Sequence, residues 1–165
     1  MRKNSPFQKW MLRVDRVLKI LIGMDFLALF ILNVGQITSR SLIGISSVLI
    51  PDISRFLFIW LVFLGTASIY NHKQHLVIEF IKLKLPRNFQ HRLSILAHVF
   101  MMIFFVILIR FGWRIMWIRM DIPYTGWEIP TGYAYLAVPM SAVLMLLFTF
   151  ADLEYRLKGG NGLAD

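Results

Sequence analysis

The sequence predicts an all-α integral membrane protein with four transmembrane helices, additional interfacial amphipathic helices and both termini in the cytoplasm. Two observations predict this class. Hydrophobic residues make up 58% of the 165 residues and charged residues 16%, whereas soluble domains carry roughly 25% charged residues. Four apolar runs also come close to or exceed the roughly 20 residues that a helix needs to cross a bilayer. Because little chain remains outside these runs, we expect a single membrane domain over residues 1–165 and no soluble core.

The chain begins with a segment that should lie on the membrane surface. Residues 4–16 place apolar side chains such as Phe7 and Trp10 at three- and four-residue spacing, with basic side chains such as Lys9 on the other side. This pattern is typical of an interfacial amphipathic helix. Residues 17–40 then form the first transmembrane helix, which the surface helix is expected to enter through a bend. We expect this helix to be retained, because the run is longer than a signal-peptide core and ends in ITSR without a cleavage pattern.

Three further spans follow along the chain. Residues 53–71 form the second transmembrane helix, residues 87–118 a long third helix and residues 132–153 the fourth. Between the second and third helices, residues 74–85 mix apolar and charged side chains and are too short to cross the bilayer, so we expect a second interfacial segment. Pro86 ends this segment and can open the third helix. The third helix is therefore expected to project beyond the bilayer on the cytoplasmic side.

The net charge of +9 is distributed by side of the membrane. Of the 18 Lys and Arg residues, all but five precede or open the first span, lie between the second and third spans or in the first turns of the long third helix, or follow the fourth span. Cytoplasmic loops carry the excess of Lys and Arg, so both termini should face the cytoplasm. We interpret the basic excess as a topological signal in contact with membrane lipids and expect no nucleic-acid partner. The exceptions lie toward the other side and are Arg40, Arg55, Arg110, Arg114 and Arg119.

Polar residues inside the spans are the main functional candidates, because an ionisable group in the bilayer usually faces protein or water and finds a partner. Asp25 lies within the first span, where it is expected to pair with Lys19 or with a basic residue of a neighbouring helix, or to lie near the cytoplasmic interface; the alternative is a functional role. Asn33 and Gln36 share one face of that helix and suit hydrogen bonds to another helix. We interpret these two amides as packing residues.

Two arginines occur in the outer half of the third span. Arg110 and Arg114 are four residues apart, with Trp113 and Trp117 close by. Tryptophan is enriched at membrane interfaces, so these two residues mark the outer boundary of the bilayer. The arginine side chains are expected to extend toward that boundary.

The two outer loops carry mixed charge. The loop after the third span, RMDIPYTGWEIPTGY, combines two prolines and two glycines with charges of both signs. Such a loop is expected to be ordered or to bind a partner; the alternative is solvated charge on a small loop. The charged residues predicted at this outer surface are Arg40, Asp52, Arg55, Arg119, Asp121 and Glu128.

Familiar catalytic patterns are missing from the sequence. It contains no Gly-rich phosphate loop, no nucleophile elbow and no H-E-x-x-H metal motif, and no cysteine for disulfides or thiolate metal sites. We therefore expect neither an enzyme nor a metal or cofactor in this chain. The chain also lacks the matching halves that secondary transporters tend to show. A helical accessory subunit fits these observations better than a complete carrier.

The second span and its continuation, RFLFIWLVFLGTASIYNHKQHLVIE at residues 55–79, resemble the small membrane subunit of tripartite ATP-independent periplasmic (TRAP) transporters. The order of features is similar to that family over essentially the whole chain. Family members often carry a tryptophan and paired acids just before the second span, whereas here only Asp52 can serve as the acid. The positions that match the family's motif are Arg55, Trp60, Gly65, His75 and Glu79.

The resemblance implies a three-part importer in the bacterial inner membrane. A periplasmic binding protein would deliver an organic anion, a carboxylate or a sugar acid, to a large membrane subunit that uses a sodium gradient. This chain would bind neither substrate nor sodium, but would brace the large subunit, which polar residues of its first helix would face, and contribute to docking of the binding protein. His75 and Glu79 would mark the cytoplasmic end of the motif. The residues assigned to intramembrane packing are Asp25, Asn33, Gln36, Trp60, Gly65, Arg110 and Arg114.

Two other functions remain open from the residues alone. A small proton-coupled multidrug exporter also has four helices and a carboxylate in its first helix, which Asp25 would supply, although such exporters carry little chain outside their helices. Asp25→Asn would abolish coupling in an exporter but only weaken the assembly of an accessory subunit. The third hypothesis is a haem-carrying membrane anchor, because His72 and His98 near the cytoplasmic ends of two spans could ligate a haem.

Overall fold

A computed structural model describes residues 6–44, 47–82 and 87–157, with side chains described at 13–42, 44, 47–70, 95–151 and 153. The helices are α1 (Pro6–Ile43), α2 (Leu49–Lys82), α3 (Arg87–Arg119), α4 (Gly132–Tyr135) and α5 (Ala137–Leu157). Four apolar stretches are long enough to cross a membrane, three of them in α1, α2 and α3 and the fourth in α4 and α5 together. No strand is present in the described ranges. The predicted all-α class with four transmembrane helices is confirmed.

The helix boundaries follow from local sequence. Pro6 opens α1, at a position where an N–H would have no partner within the helix. Gly44, just after α1, has a φ of +73°, a left-handed conformation that glycine adopts readily. α4 and α5 are separated at Leu136, although its backbone stays in the right-handed helical region. Pro139 accounts for this break, because it has no N–H to donate to the carbonyl of Tyr135.

The observed helices extend beyond the predicted spans. α1 is one uninterrupted helix from Pro6, where the sequence predicted separate segments at 4–16 and 17–40. α2 continues through most of the predicted interfacial segment 74–85, as far as Lys82. Neither junction contains proline or glycine, so nothing in the backbone stops the ladder of hydrogen bonds there. The first two residues of the N-terminal segment, and residues 83–86, lie outside the described residues.

The helices pack as a bundle in which α3 contacts α5, α1 contacts α2, and α2 also contacts α5. A buried cluster of Leu18, Leu64 and Phe148 joins α1, α2 and α5. A second cluster around Phe105 joins α2, α3 and α5. α5 takes part in both clusters, so it lies at the centre of the bundle.

α3 and α5 approach each other closely at Gly112. A Cβ atom at this position would lie 2.9 Å from Val138 Cγ1 and 3.1 Å from Pro139 Cδ. Small residues allow helix backbones to approach in membranes, where close packing contributes much of the association. Gly112 therefore permits the contact that positions the loop between α3 and α4.

Candidate functional site

The loop of residues 120–131 closes the end of the bundle where α3 ends and α4 begins, and is named the cap loop. An isolated antiparallel bridge between Pro123 and Pro130 draws its two sides together. The N–H of Tyr124 donates to the carbonyl of Ile129 at 3.1 Å, and the N–H of Thr131 donates to the carbonyl of Ile122 at 2.9 Å. These bonds make the cap loop an ordered hairpin-like turn.

Asp52 anchors the cap loop to the first turn of α2. Its Oδ2 atom accepts a hydrogen bond from the N–H of Gly126 at 2.8 Å, and the residue is only 7% exposed. A helix N-terminus favours a carboxylate, so this position suits the charge. A Cβ at residue 126 would lie 2.8 Å from the backbone N of Leu49. Glycine is therefore required for this contact between the cap loop and α2.

Aromatic side chains complete the contact. The ring of Trp127 meets the ring of Phe56 edge to face, with centroids 5.7 Å apart. Tyr124 is buried in the same loop. Burial raises the pKa of the Tyr124 hydroxyl above its ordinary value, and the nearby Arg55 guanidinium opposes part of this rise. The cap loop is thus held by a charge-assisted hydrogen bond, a ring contact and a buried phenol.

The charged residues predicted for the outer surface separate into two groups. Asp52 is buried and bonded within the chain, so its carboxylate is committed to the cap loop. The guanidinium of Arg119 lies 5.5 Å from the centroid of the Tyr135 ring, although the residue remains exposed. The other members of the predicted surface are also exposed, namely Arg40, Arg55, Asp121 and Glu128.

The amides of α1 bond within the chain. Asn33 Nδ2 donates to the carbonyl of Leu29 at 2.7 Å and to Ser54 Oγ of α2 at 3.3 Å. Gln36 Nε2 donates to the carbonyl of Ser47 at 3.4 Å. These bonds hold α1 against α2 and the connection between them, so they do not identify a surface for another subunit.

Two buried polar groups lie at similar depth between α1 and α2. Both carboxylate oxygens of Asp25 and the Nε1 atom of Trp60 are buried without a hydrogen-bond partner among the described residues. The hydrogen bond from Asn33 to Ser54 on one side, and the cluster containing Leu18 and Leu64 on the other, bracket both residues along the helices. The nearby Lys19 pairs instead with Asp15 at 2.9 Å.

The remaining predicted intramembrane residues are exposed, except for the half-buried Gly65. Arg110 and Arg114 are exposed on α3, as are Trp113 and Trp117. A Cβ at Gly65 would have nothing within 4 Å. In the isolated chain, such exposed positions face either lipid or another protein.

A buried polar contact between α2 and α5 was missed by sequence reasoning. The Tyr70 hydroxyl and Thr149 Oγ1 lie 2.8 Å apart, and Thr149 Oγ1 also donates to the carbonyl of Met145 at 2.8 Å. His98 of α3, one of the two histidines considered as haem ligands, is also buried and only 1% exposed. Tyr70 and Thr149 are 79 residues apart, and neither stands out in its apolar run, so no pattern in the sequence pairs them.

Two kinds of candidate site residue remain: side chains that could bind a metal ion, and His75 and Glu79 at the cytoplasmic end of the family motif. Among the described residues, no group of three or more His, Asp or Glu side chains is placed to hold a metal ion. The side chains of His72, His75 and Glu79 lie outside the described part of the structure.

Comparison with known proteins identifies the family of this chain. A family model described as "Tripartite ATP-independent periplasmic transporters, DctQ component" matches residues 29–159. The chain belongs to this family. The resemblance found in the sequence is thereby confirmed, and the chain is a component of a transporter, not an enzyme.

A relative from Haemophilus influenzae agrees with this family. It is named "Putative TRAP transporter small permease protein" and is 31% identical over 96 residues, which is 57% of this chain and 58% of the relative. The matched segment thus spans less than two thirds of the relative's length. The family match over residues 29–159 favours the small TRAP subunit over the multidrug exporter and the haem-carrying anchor.

Proposed function

We propose that this chain is the accessory membrane subunit of a sodium-coupled TRAP importer of organic anions, with two tasks. It braces the large membrane subunit, and its cap loop contributes to the surface on which the periplasmic binding protein docks. The observation that carries the second task is the Asp52 to Gly126 hydrogen bond at 2.8 Å, since it holds an ordered, charged loop on the end of the bundle.

The bracing role is supported by the surface of α1. Only 6% of the most apolar stretch of Arg13–Leu42 is buried inside the chain, so most of this helix is available to another protein. Its exposed residues include Gly23 and Gly35, where an added Cβ would have nothing within 4 Å. Such positions allow a neighbouring helix to approach closely. We assign α1 as the helix that the large subunit contacts.

The docking role is supported by the charges around the cap loop. Arg40, Arg55, Asp121 and Glu128 are exposed at the same end of the bundle, and the cap loop, which carries Asp121 and Glu128, is held by the bond to Asp52. A rigid surface of mixed charge suits transient, salt-sensitive binding of a soluble protein, because charge complementarity chiefly sets encounter rate and specificity.

The remaining assignments follow the family and the charge distribution. We place the chain in the bacterial inner membrane with both termini in the cytoplasm, because the basic residues concentrate on that side. Substrate, a carboxylate or a sugar acid, and sodium bind in the large subunit.

Charge reversal tests the docking role. Arg40→Glu, Arg55→Glu and Glu128→Arg should each lower binding-protein-dependent uptake, by about tenfold if the charge contributes to encounter. The large subunit should still copurify with each variant. Arg16→Glu, an equal charge change at an exposed position near the opposite end of α1, is the matched control and should retain uptake. Normal uptake in all three surface variants would overturn the docking role.

A second variant tests the cap loop without changing any charge. Gly126→Val introduces a side chain whose Cβ would lie 2.8 Å from the Leu49 backbone N, so the loop must move off α2. Uptake should fall as it does after charge reversal, while copurification persists. Loss of the large subunit from this variant would show that the cap loop acts in assembly instead.

The bracing role has its own test. Gly35→Trp fills open space on α1 and should reduce copurification of the large subunit in mild detergent, because a bulky side chain prevents close helix approach. Ile107→Trp, at an exposed position of α3, serves as the control. Equal copurification of both variants would exclude α1 as the contact helix.

A further inference from the structure

The outward face of α3 carries two cations that are not used by the fold. Arg114 follows the buried Phe105 by nine residues, or two and a half turns of an α-helix, so it lies on the side of α3 opposite the core. Arg110 lies one turn away on the same side, and both residues are exposed. Neither has an ion-pair partner among the described residues, where the one recorded ion pair joins Lys19 and Asp15.

These arginines lie at the level of the membrane interface. Trp113 and Trp117 are exposed beside them, and tryptophan favours the headgroup region. A rise of 1.5 Å per residue places Arg110 about 10 Å below Trp117 along the helix axis. An unpaired guanidinium at that depth is costly, so its side chain extends toward the interface, where an anionic group can pair with it.

The surroundings of the pair are those of a lipid-facing surface. Every exposed residue of α3 between Leu96 and Ile118 is large, and none is Gly, Ala, Ser or Thr. Helix interfaces inside membranes are enriched in such small residues. α1 differs, because its exposed residues include Gly23 and Gly35.

The geometry points to a binding site for an anionic phospholipid, with its headgroup phosphate held by Arg110 and Arg114 and its acyl chains along Ile103 and Ile107. Guanidinium groups bind phosphate oxygens through paired hydrogen bonds, and two of them one turn apart present a concentrated donor set. Ile107 and Ile103 are exposed about one and two turns below Arg110, which gives acyl chains an apolar path deeper into the bilayer. This lipid site is separate from the proposed docking surface and does not depend on it.

Lipid retention tests the site in the full chain together with any subunit that copurifies. The protein is reconstituted in nanodiscs of equal phosphatidylcholine and phosphatidylglycerol, released into detergent and analysed by native mass spectrometry. The wild type should retain phosphatidylglycerol in preference to phosphatidylcholine. Arg110→Ala/Arg114→Ala should lower this retention about tenfold, the effect of losing one charge-assisted hydrogen bond or more.

The matched control removes the same charge from the same end of the bundle. Arg40→Ala/Arg55→Ala should retain phosphatidylglycerol as the wild type does, because neither residue lies on the outward face of α3. Wild-type retention by the Arg110→Ala/Arg114→Ala protein would overturn the site. Equal loss in the control would overturn it as well, since the effect would then be one of net charge.

A measurement on the unaltered protein covers the case in which the double variant fails to fold. Phosphatidylglycerol with a photoreactive headgroup should crosslink to the α3 peptide that contains residues 110–114. Crosslinks confined to other helices would overturn the site. In a separate variant that keeps both arginines, a crosslink to a protein from a photoreactive amino acid at position 117 would assign this face to a subunit contact and would also overturn the site.

Discussion

α1 and α5 are similarly apolar, yet α5 lies at the centre of the bundle and most of α1 lies on its surface. Only 6% of the most apolar stretch of Arg13–Leu42 is buried inside the chain, against 44% for Gly132–Ala151. α5 packs against α2 and α3, whereas α1 packs mainly against α2. In a bilayer, an apolar surface alone does not draw helices together, because lipid is equally apolar. Burial inside this chain therefore depends on shape and close approach, and the more exposed helix is the one available to a partner.

Substitutions on the buried and the exposed side of α5 should differ most in their effect on the free energy of unfolding. Phe148 is 2% exposed in the cluster that joins α1, α2 and α5, so Phe148→Ala should lower the free energy of unfolding by about 3 kcal/mol through lost packing. Phe150→Ala, at an exposed position two residues later, is the control and should change it little. Unfolding in mixed detergent and SDS micelles measures both. Similar losses in the two variants would contradict the central place of α5.

Two glycines, one on α3 and one on α1, test the same difference in packing. Gly112→Ala places a Cβ 2.9 Å from Val138 Cγ1, so α3 and α5 must separate, at an expected loss of about 1–3 kcal/mol. Gly35→Ala on α1 meets nothing within 4 Å and should be neutral or stabilising by about 0.5–1 kcal/mol, because alanine favours the helix. The melting temperatures of the two variants in one detergent should therefore shift in different directions. A downward shift for Gly35→Ala would show that α1 is tightly packed in the isolated chain.

A smaller effect is expected where α1 bonds to α2. Asn33→Leu removes the 3.3 Å hydrogen bond to Ser54 Oγ. Interhelical hydrogen bonds in membranes average about 0.6 kcal/mol, so the free energy of unfolding should fall by about that amount. Tyr70→Phe, which removes the 2.8 Å contact with Thr149 at α5, gives a reference of the same kind. A loss for Asn33→Leu comparable to that of Phe148→Ala would contradict the weak attachment of α1.

The last effect is confined to alkaline pH and to the cap loop. Because burial raises the pKa of the Tyr124 hydroxyl above its ordinary value of 10.0, the folded loop favours the protonated phenol. The resulting stability is fully present below the unfolded pKa and is lost as pH rises through the folded pKa. Trp127 fluorescence should therefore report release of the loop above about pH 10, and Tyr124→Phe should shift this release to higher pH. Tyr133→Phe, at an exposed tyrosine, should behave as the wild type.

Residues near the ends of the spans show which structural features sequence reasoning could anticipate. The four spans followed from apolar length, because backbone groups in lipid must bond within a helix. The sequence predicted that the surface helix joins the first span, but not that the two form one continuous α1, since charge and amphipathicity report the membrane surface and not where the backbone stops. The exposed positions of Arg55 and Glu128 agree with their charge. The burial of Asp52 could not be predicted from its charge, because its partner Gly126 is 74 residues away.

The class, the number of spans and the family can all be read from the order of the amino acids. These properties depend on composition, on the length of each apolar run and on the order of residues 55–79, all of which are local. Three other features are visible only in the folded chain. Asp52 holds the cap loop, and Gly112 allows α3 to approach α5. Arg110 and Arg114 face away from the core. These features join residues distant in the chain or depend on which side of a helix its neighbours cover. Hydrophobicity does not distinguish the sides of a helix that is surrounded by lipid, so close packing determines which side is buried.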